Sequence, residues 1–285
     1  MRKNRLAASL LALSLCFSLA ACSGGTSATP APESAAPAET TPAETAPVET
    51  DRGDSDLAYV QTKGTLVVGM TDFAPMDYKD ENGEWIGFDA DMAKAFAESL
   101  GVEVEFLEIN WDNKLMELDT KGIDVIWNGM TINDEVKAGA SVSEPYCRNG
   151  QVVVVPAAKA EDYQTVESLS GLNFAVENGS AGAAQLDELG LSYVAKTTQA
   201  DALLEVASGA SDACVIDLLM AGAMIGEGTS YPDLTYTVQL NDEEYGVAFR
   251  KGSDAAAAVD AAFDELKADG TMQALADKYD LALAD

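Results

Sequence analysis

The chain of 285 residues contains no histidine. That absence removes His-based catalytic triads, the commonest metal ligand, and the commonest general acid or base near neutral pH. Cations are scarce as well: 17 lysines and arginines stand against 48 aspartates and glutamates, for a net charge of −31. A body this acidic is a poor partner for nucleic acid, whose affinity comes from neutralised phosphates, and an anionic membrane surface repels it. Acidity does not by itself make a calcium site, and no D-x-[DN]-x-[DN]-G loop is present. Of the four cysteines, none falls in a zinc-knuckle spacing. No metal and no cofactor are expected.

What is present begins with an N-terminal leader. Arg2, Lys3 and Arg5 precede an apolar run over residues 6–21, short for a membrane span and right for the core of a secretory signal peptide. The run ends in Leu19-Ala20-Ala21-Cys22, which is similar to the lipobox of bacterial lipoproteins. That similarity implies cleavage after residue 21 and acyl chains, palmitate among them, on Cys22. Two or more chains anchor stably where one does not. The plainer alternative is a secreted protein with a chance cysteine. Residues 22–56 are rich in Ser, Thr, Ala, Pro and Glu and cannot bury enough apolar surface to offset their ordering entropy. They read as a tether whose roughly 35 residues reach about 30 Å. Cys16 leaves with the leader. Cys147 and Cys214 are either two buried thiols or one disulfide, since the compartment permits one.

The body, from residue 57, is organised around Gly122 to Ile132. Ile123, Val125 and Ile126 form an apolar run suited to a buried strand, and the sequence then turns polar at Asn128-Gly129-Met130-Thr131. Read alone, Asn128-Gly129 is equally a turn. Upstream, a strand at 65–69 leads into a loop carrying Asp72, Phe73 and Pro75. A helix with Phe88, Met92, Phe96 and Leu100 follows, stopped by Gly101. Next come a strand with Val102, Val104 and Phe106, and, after Trp111, a helix with Leu115 and Leu118 inward that closes near Gly122. This β-α-β-α-β order predicts a parallel sheet whose right-handed crossovers gather the Phe73 loop, Trp111 and residues 128–131 on one rim, where ligands bind in open α/β sheets. A second unit follows, and its Gly209 to Asp217 repeats the pattern of helix, glycine, apolar strand and polar strand end. Two such units would face each other across a cleft. A late strand at 245–249 and two C-terminal helices need the first sheet as partner, which makes the second unit an insertion.

Over about residues 64–281 the chain resembles the extracellular solute-binding proteins of ABC importers, polar amino acid type. The motifs are Leu66 to Gly69 with Phe73-Ala74-Pro75, Gly87-Phe88-Asp89-Ala90-Asp91, Gly122 to Val125 with Gly129 to Ile132, Ser143-Glu144-Pro145-Tyr146, and Tyr245 to Ser253. The resemblance implies an α/β fold of the periplasmic-binding-protein type II. It has two lobes, each a mainly parallel sheet flanked by helices, joined by a two-strand hinge near 146–151 and 240–246. The divisions are residues 57–148 for the first part of lobe 1, 149–243 for lobe 2 and 244–285 for the rest of lobe 1. Phe73 and Trp111 fall where relatives sandwich the ligand. Gly129 and Thr131 fall where a backbone carbonyl, hydroxyl and N–H hold its α-amine and α-carboxylate, and Asn128 and Met130 beside them are candidate ligand-binding residues. Ser180 and Ala181 open a helix whose N–H groups can receive a carboxylate. Asp217 falls at the carboxylate that pairs with the amine, its alternative being a helix N-cap.

The chain departs from the pattern where relatives carry a carboxylate-clasping arginine, five residues after Thr131: here that position is Val136. Lys137 or Arg148 is a candidate substitute, unless the ligand lacks an ordinary α-carboxylate. Asp72, Glu177 and Asp217 near the cleft favour a cationic or zwitterionic ligand. The expected function is a monomeric, lipid-anchored binding protein on the outer face of the cell membrane. It captures an amino acid or related amine and passes it to ABC permease subunits, with no catalysis. The alternatives are a dehydratase-like enzyme on the same fold, using such carboxylates as acid and base, or a subunit that presents ligand to a sensor.

Overall fold

The structure is a computed structural model that describes residues 55–284. The leader, Cys22 and residues 22–54 of the expected tether lie outside the described residues. Folded structure begins slightly earlier than residue 57. Ser55 caps the first helix by accepting from Ala58 N at 3.0 Å, and Asp56 pairs with Arg250 at 2.8 Å. Among the described residues, no helix is long and apolar enough to cross a membrane.

Lobe 1 opens with α1 (Asp56–Lys63), β1 (Thr65–Met70), β2 (Tyr78–Lys79), β3 (Trp85–Ile86), α2 (Phe88–Leu100) and β4 (Glu103–Glu108). It continues through α3 (Lys114–Asp119), β5 (Val125–Thr131), α4 (Asp134–Gly139), β6 (Ala140–Val142) and β7 (Cys147–Asn149). Lobe 2 contains β8 (Gln151–Pro156), β9 (Phe174–Glu177), α5 (Ala181–Glu188), β10 (Tyr193–Lys196), α6 (Gln199–Ala207), β11 (Ala213–Asp217), α7 (Leu218–Met224) and β12 (Leu234–Gln239). The chain then returns to lobe 1 with β13 (Glu243–Arg250), α8 (Ala255–Ala268) and α9 (Thr271–Tyr279).

Each lobe is a mixed sheet. In lobe 1 the order is β4-β1-β5-β13-β6, with β7 also on β13, and in lobe 2 it is β10-β9-β11-β8-β12. Strands β4, β1 and β5 run parallel, as do β10, β9 and β11, while β13 and β8 run antiparallel to their neighbours. Thus β5 and β11, the two segments whose sequences echo each other, occupy corresponding places between a parallel and an antiparallel neighbour. Two links join the lobes: Gly150 between β7 and β8, and residues 240–242 between β12 and β13. They are tied together where Gln151 N donates to Asn241 Oδ1 at 2.7 Å and Leu240 N donates to Gln151 O at 2.7 Å.

The core explains why these residues form these elements. Phe88, Met92 and Phe96 place one apolar stripe of α2 on the sheet, and Gly101 ends the helix at φ +72. Trp127 is fully buried among Phe96 and Phe263, and Phe249 packs on Phe96 in turn. Two local expectations change. Lys121, at φ 62, makes the left-handed exit from α3, not Gly122. The polar stretch after Ile126 is strand rather than loop, because β13 pairs with β5 as far as Thr131. Between the Tyr245–Thr131 and Phe249–Val125 ends of that ladder the register shifts, so Trp127, Asn128 and Gly129 stand opposite Val247 alone. Such a bulge re-aims side chains, and it lies at the wall of the cleft. Cys147 and Cys214 are both buried and free. Burial pushes the Cys147 thiol up to about 12 and the Cys214 thiol up as well, so neither is a ready nucleophile.

Candidate functional site

The two sheets bring their strand ends together around one narrow cleft. From lobe 1 it is lined by Phe73 after β1, Trp111 and Lys114 at the start of α3, residues 128–131 of β5, and Asn133 and Val136 around α4. From lobe 2 it is lined by Glu177 at the end of β9, Gly179 to Ala181 at the start of α5, Gln199 at the start of α6, and Asp217 at the end of β11. The lobes touch across it. Lys114 Nζ donates to Gly179 O at 2.9 Å, and the hydroxyl of Tyr245 in lobe 1 donates to Asp217 Oδ1 at 2.6 Å. Gly179, at φ +70, lies so close to Asp112 that a Cβ there would stand 2.7 Å from the Asp112 Cα. Only glycine fits that approach.

Of the residues singled out from sequence, Phe73, Trp111, Asn128, Gly129, Met130, Thr131, Ser180, Ala181 and Asp217 line this space. Asp72 does not: it is exposed and lies near Glu108 and Lys79, because alternation along the loop turns Phe73 inward and its neighbour out. The lining residues differ in what they can offer a ligand. The Asn128 amide accepts from Thr71 N at 2.9 Å and donates to Thr71 O at 3.0 Å and to Asp77 Oδ2 at 2.7 Å, so its side chain fastens the Phe73 loop to β5. Met130 packs with Trp111, Leu118, Ile126 and Val136. Gly129, at φ +54, donates its N–H to Asp89 Oδ2 at 2.6 Å, and a Cβ there would meet Phe73 Cε1 at 2.5 Å. Ser180 caps α5 by accepting from Ala183 N at 3.1 Å. The N–H groups of Ala181 and Gly182 have no intrahelical partner and face a helix start that favours negative charge.

Two carboxylates dominate the electrostatics. Asp217 is 5% exposed and stands in the N-cap position of α7 without making a cap hydrogen bond. Its Oδ1 instead accepts from Asn149, from Gln151 Nε2 at 3.0 Å and from the Tyr245 hydroxyl, while Oδ2 accepts from Gln199. Burial, then repulsion from Glu243, raises it to about 8 despite those donors. Glu177 is 2% exposed, its Oε1 has no hydrogen-bond partner, and burial followed by repulsion from Asp217 raises it to about 8. Two carboxyl groups this deep hold protons near neutrality until a cation arrives to replace the water they have lost. The proposed substitutes for the arginine lie elsewhere. Lys137 and Arg148 are exposed and line an adjoining groove with residues 241–244, which meets the cleft at Thr131 and Asn133. Val136 does face the cleft, and the cation there is Lys114, which sequence reasoning missed along with Gln199, Asn133 and Gly179. No cluster able to hold a metal occurs among the described residues.

Two lobes on a two-strand hinge, with strand ends and helix starts converging on a polar, aromatic-walled cleft, define a two-lobe ligand-binding protein of type II fold. The chain belongs to the bacterial extracellular solute-binding proteins, family 3, whose pattern matches residues 66–282. It is 31% identical over 224 residues to the L-cystine-binding protein TcyJ of Escherichia coli K12, covering 77% of this chain and 84% of that protein. The arginine-bound form of truncated ArgBP from T. maritima is 37% identical, with a TM-score of 0.69, over 73% of this chain and 99% of that one. Cyclohexadienyl dehydratase of Pseudomonas aeruginosa is 32% identical over 117 residues, 41% of this chain and 44% of that enzyme.

Proposed function

We propose that this protein captures a cationic amino acid in the interlobe cleft and hands it to a membrane permease, held to the outer face of the membrane by acyl chains on Cys22. The observation that carries the ligand class is the pair of buried carboxyls, Glu177 and Asp217, in one closed cleft with Trp111 and Phe73. An ammonium or guanidinium gains from each carboxylate a charge-assisted bond that water no longer screens. The aromatic walls accept the aliphatic stem and the cation's face. Lys114 lines the cleft and reaches across it to Gly179 O, so closure and ligand contact use the same group, as hinge closure by differential affinity requires. The arginine-bound relative supports the same class. The test is a thermal-shift screen of the amino acids, polyamines and short peptides. Arginine, lysine or ornithine should raise the melting temperature, by about 2.7 kcal/mol of stabilisation at a hundred times Kd. No shift with any of them would sink the ligand class.

A protonated Glu177 in a closed cleft also gives the dehydratase reading a specific footing, since it can donate a proton to a leaving group. Its Oε1 has no hydrogen-bond partner to orient it for that transfer. Incubation with a cyclohexadienyl substrate is expected to leave it unchanged. Turnover would favour the enzyme.

A further inference from the structure

Lys114 is the cation that lines the cleft among the described residues, and the carboxylates that act on it, Glu135, Glu177 and Asp112, make no direct ion pair with it. It opens α3 immediately after the single turn at Trp111–Asn113 and is 6% exposed. Its ammonium donates to Gly179 O at 2.9 Å and to Trp111 O at 3.3 Å, and sits 5.1 Å from the centre of the Trp111 ring. Two carbonyls leave one of its three N–H bonds unassigned. No described carboxylate is within ion-pair distance, and Glu135, Glu177 and Asp112 act on it only from further away. A buried ammonium in that position is costly unless an anion joins it.

The same part of the cleft is built to receive one. Val136 is 1% exposed and presents only methyl groups to the same space. Just beyond Gly179 stand the unpaired N–H groups that start α5. Thr131 also lines the same space. The opposite pole is Asp217 with its hinge amides, and Glu177 feels both Lys114 and Asp217.

We infer that Lys114 is the carboxylate-recognising residue of this cleft. The inference rests on reading the cleft as an amino-acid site. With one cation and two carboxylates, the cleft then complements a ligand with one carboxylate and two positive groups, which is the charge pattern of a basic amino acid. The rival role is a latch, in which Lys114 merely ties lobe 1 to Gly179.

Calorimetric titration with pairs that differ only in the carboxylate separates the two roles: arginine and agmatine, lysine and cadaverine, ornithine and putrescine. Wild-type protein should prefer the amino acid of the tightest pair by about 100-fold, as expected for a charge-assisted bond. K114M should bring that ratio below about threefold by weakening the amino acid and sparing the amine, and K114R should keep the preference. Should K114M fail to fold, as judged by ligand-free melting, K114Q carries the same arm. A variant that weakens both members equally makes Lys114 a latch and overturns the inference, as does a wild-type ratio retained in K114M or no wild-type preference for the acid. Failure of the wild type to bind any member of any pair would sink the amino-acid reading itself, whereas an unchanged ratio in K114M sinks only the role of Lys114.

Discussion

Replacing Asp217 by asparagine removes a charge and keeps the shape. Asn149, Gln151 and Tyr245 all donate to Oδ1, and the asparagine carbonyl can keep those three bonds. Only Gln199 Nε2, now at Oδ2, would meet an NH₂ group, and its amide is not free to turn because Gln199 Oε1 accepts from Asp217 N at 2.9 Å. At an effective dielectric of about 20, a cation about 3 Å from the carboxylate gains roughly 5 kcal/mol before desolvation is subtracted. The net value of a hydrogen bond to a charged group is about 1.5–3 kcal/mol, so D217N should lose roughly 3 kcal/mol, or about 150-fold in Kd. In the ligand-free protein that unmatched pair of buried donors should cost about 1–3 kcal/mol, a drop of several degrees in melting temperature. Titration calorimetry with arginine and a ligand-free melt measure both quantities. A folded D217N variant whose Kd stays within threefold of wild type would refute the pairing of Asp217 with the ligand's cation.

Stability should fall with pH across neutrality. Glu177 and Asp217 are raised to about 8 and Asp89 to about 7, each chiefly by burial. The folded chain therefore holds protons that the unfolded chain releases above the ordinary carboxylate range, so this stability is complete at low pH and lost as pH climbs through about 7 to 8. Scanning calorimetry should show the ligand-free melting temperature declining from about pH 5 to 8.5 and a saturating basic amino acid flattening the decline; a rise over that window would contradict the burial of these groups. Gly129→Ala should cost about 1–3 kcal/mol for a non-glycine residue at φ +54 and drive Phe73 off its wall. Its melting temperature should drop by several degrees and its affinity by more than tenfold, and intact affinity would show that Phe73 has no part in the site.

The alternation of strands and helices, the return of the chain to lobe 1 after lobe 2 and many residues of the cleft wall were legible because strand ends and helix starts obey strong rules. Gly129 and Asp217 stand out in sequence, the one as a glycine at a strand end, the other as an acid ending an apolar run. Lys114 was hidden for a physical reason. Helical spacing assigns Leu115 and Leu118 to the core and makes Lys114 solvent-facing, whereas its long stem folds back over Trp111 into the cleft. The available clue was the missing arginine: a buried valine in that slot calls for a cation within reach on a neighbouring element, not on the adjacent residue. Asp72 misled because being next in sequence to Phe73 says nothing of direction in extended chain. The bulge at 127–129 was invisible, since it exists only where β13, more than a hundred residues away, meets β5.

That late arrival of β13 governs how the molecule is assembled. Until residue 250 has been synthesised, β5 is an unprotected margin, and Trp127 lacks Phe263, one of the rings that bury it. Lobe 2 needs nothing from the last segment for its own sheet and can finish first. Nascent chains thus carry a completed half beside an adhesive one, and truncations ahead of Arg250 should aggregate through that margin rather than yield a smaller soluble module.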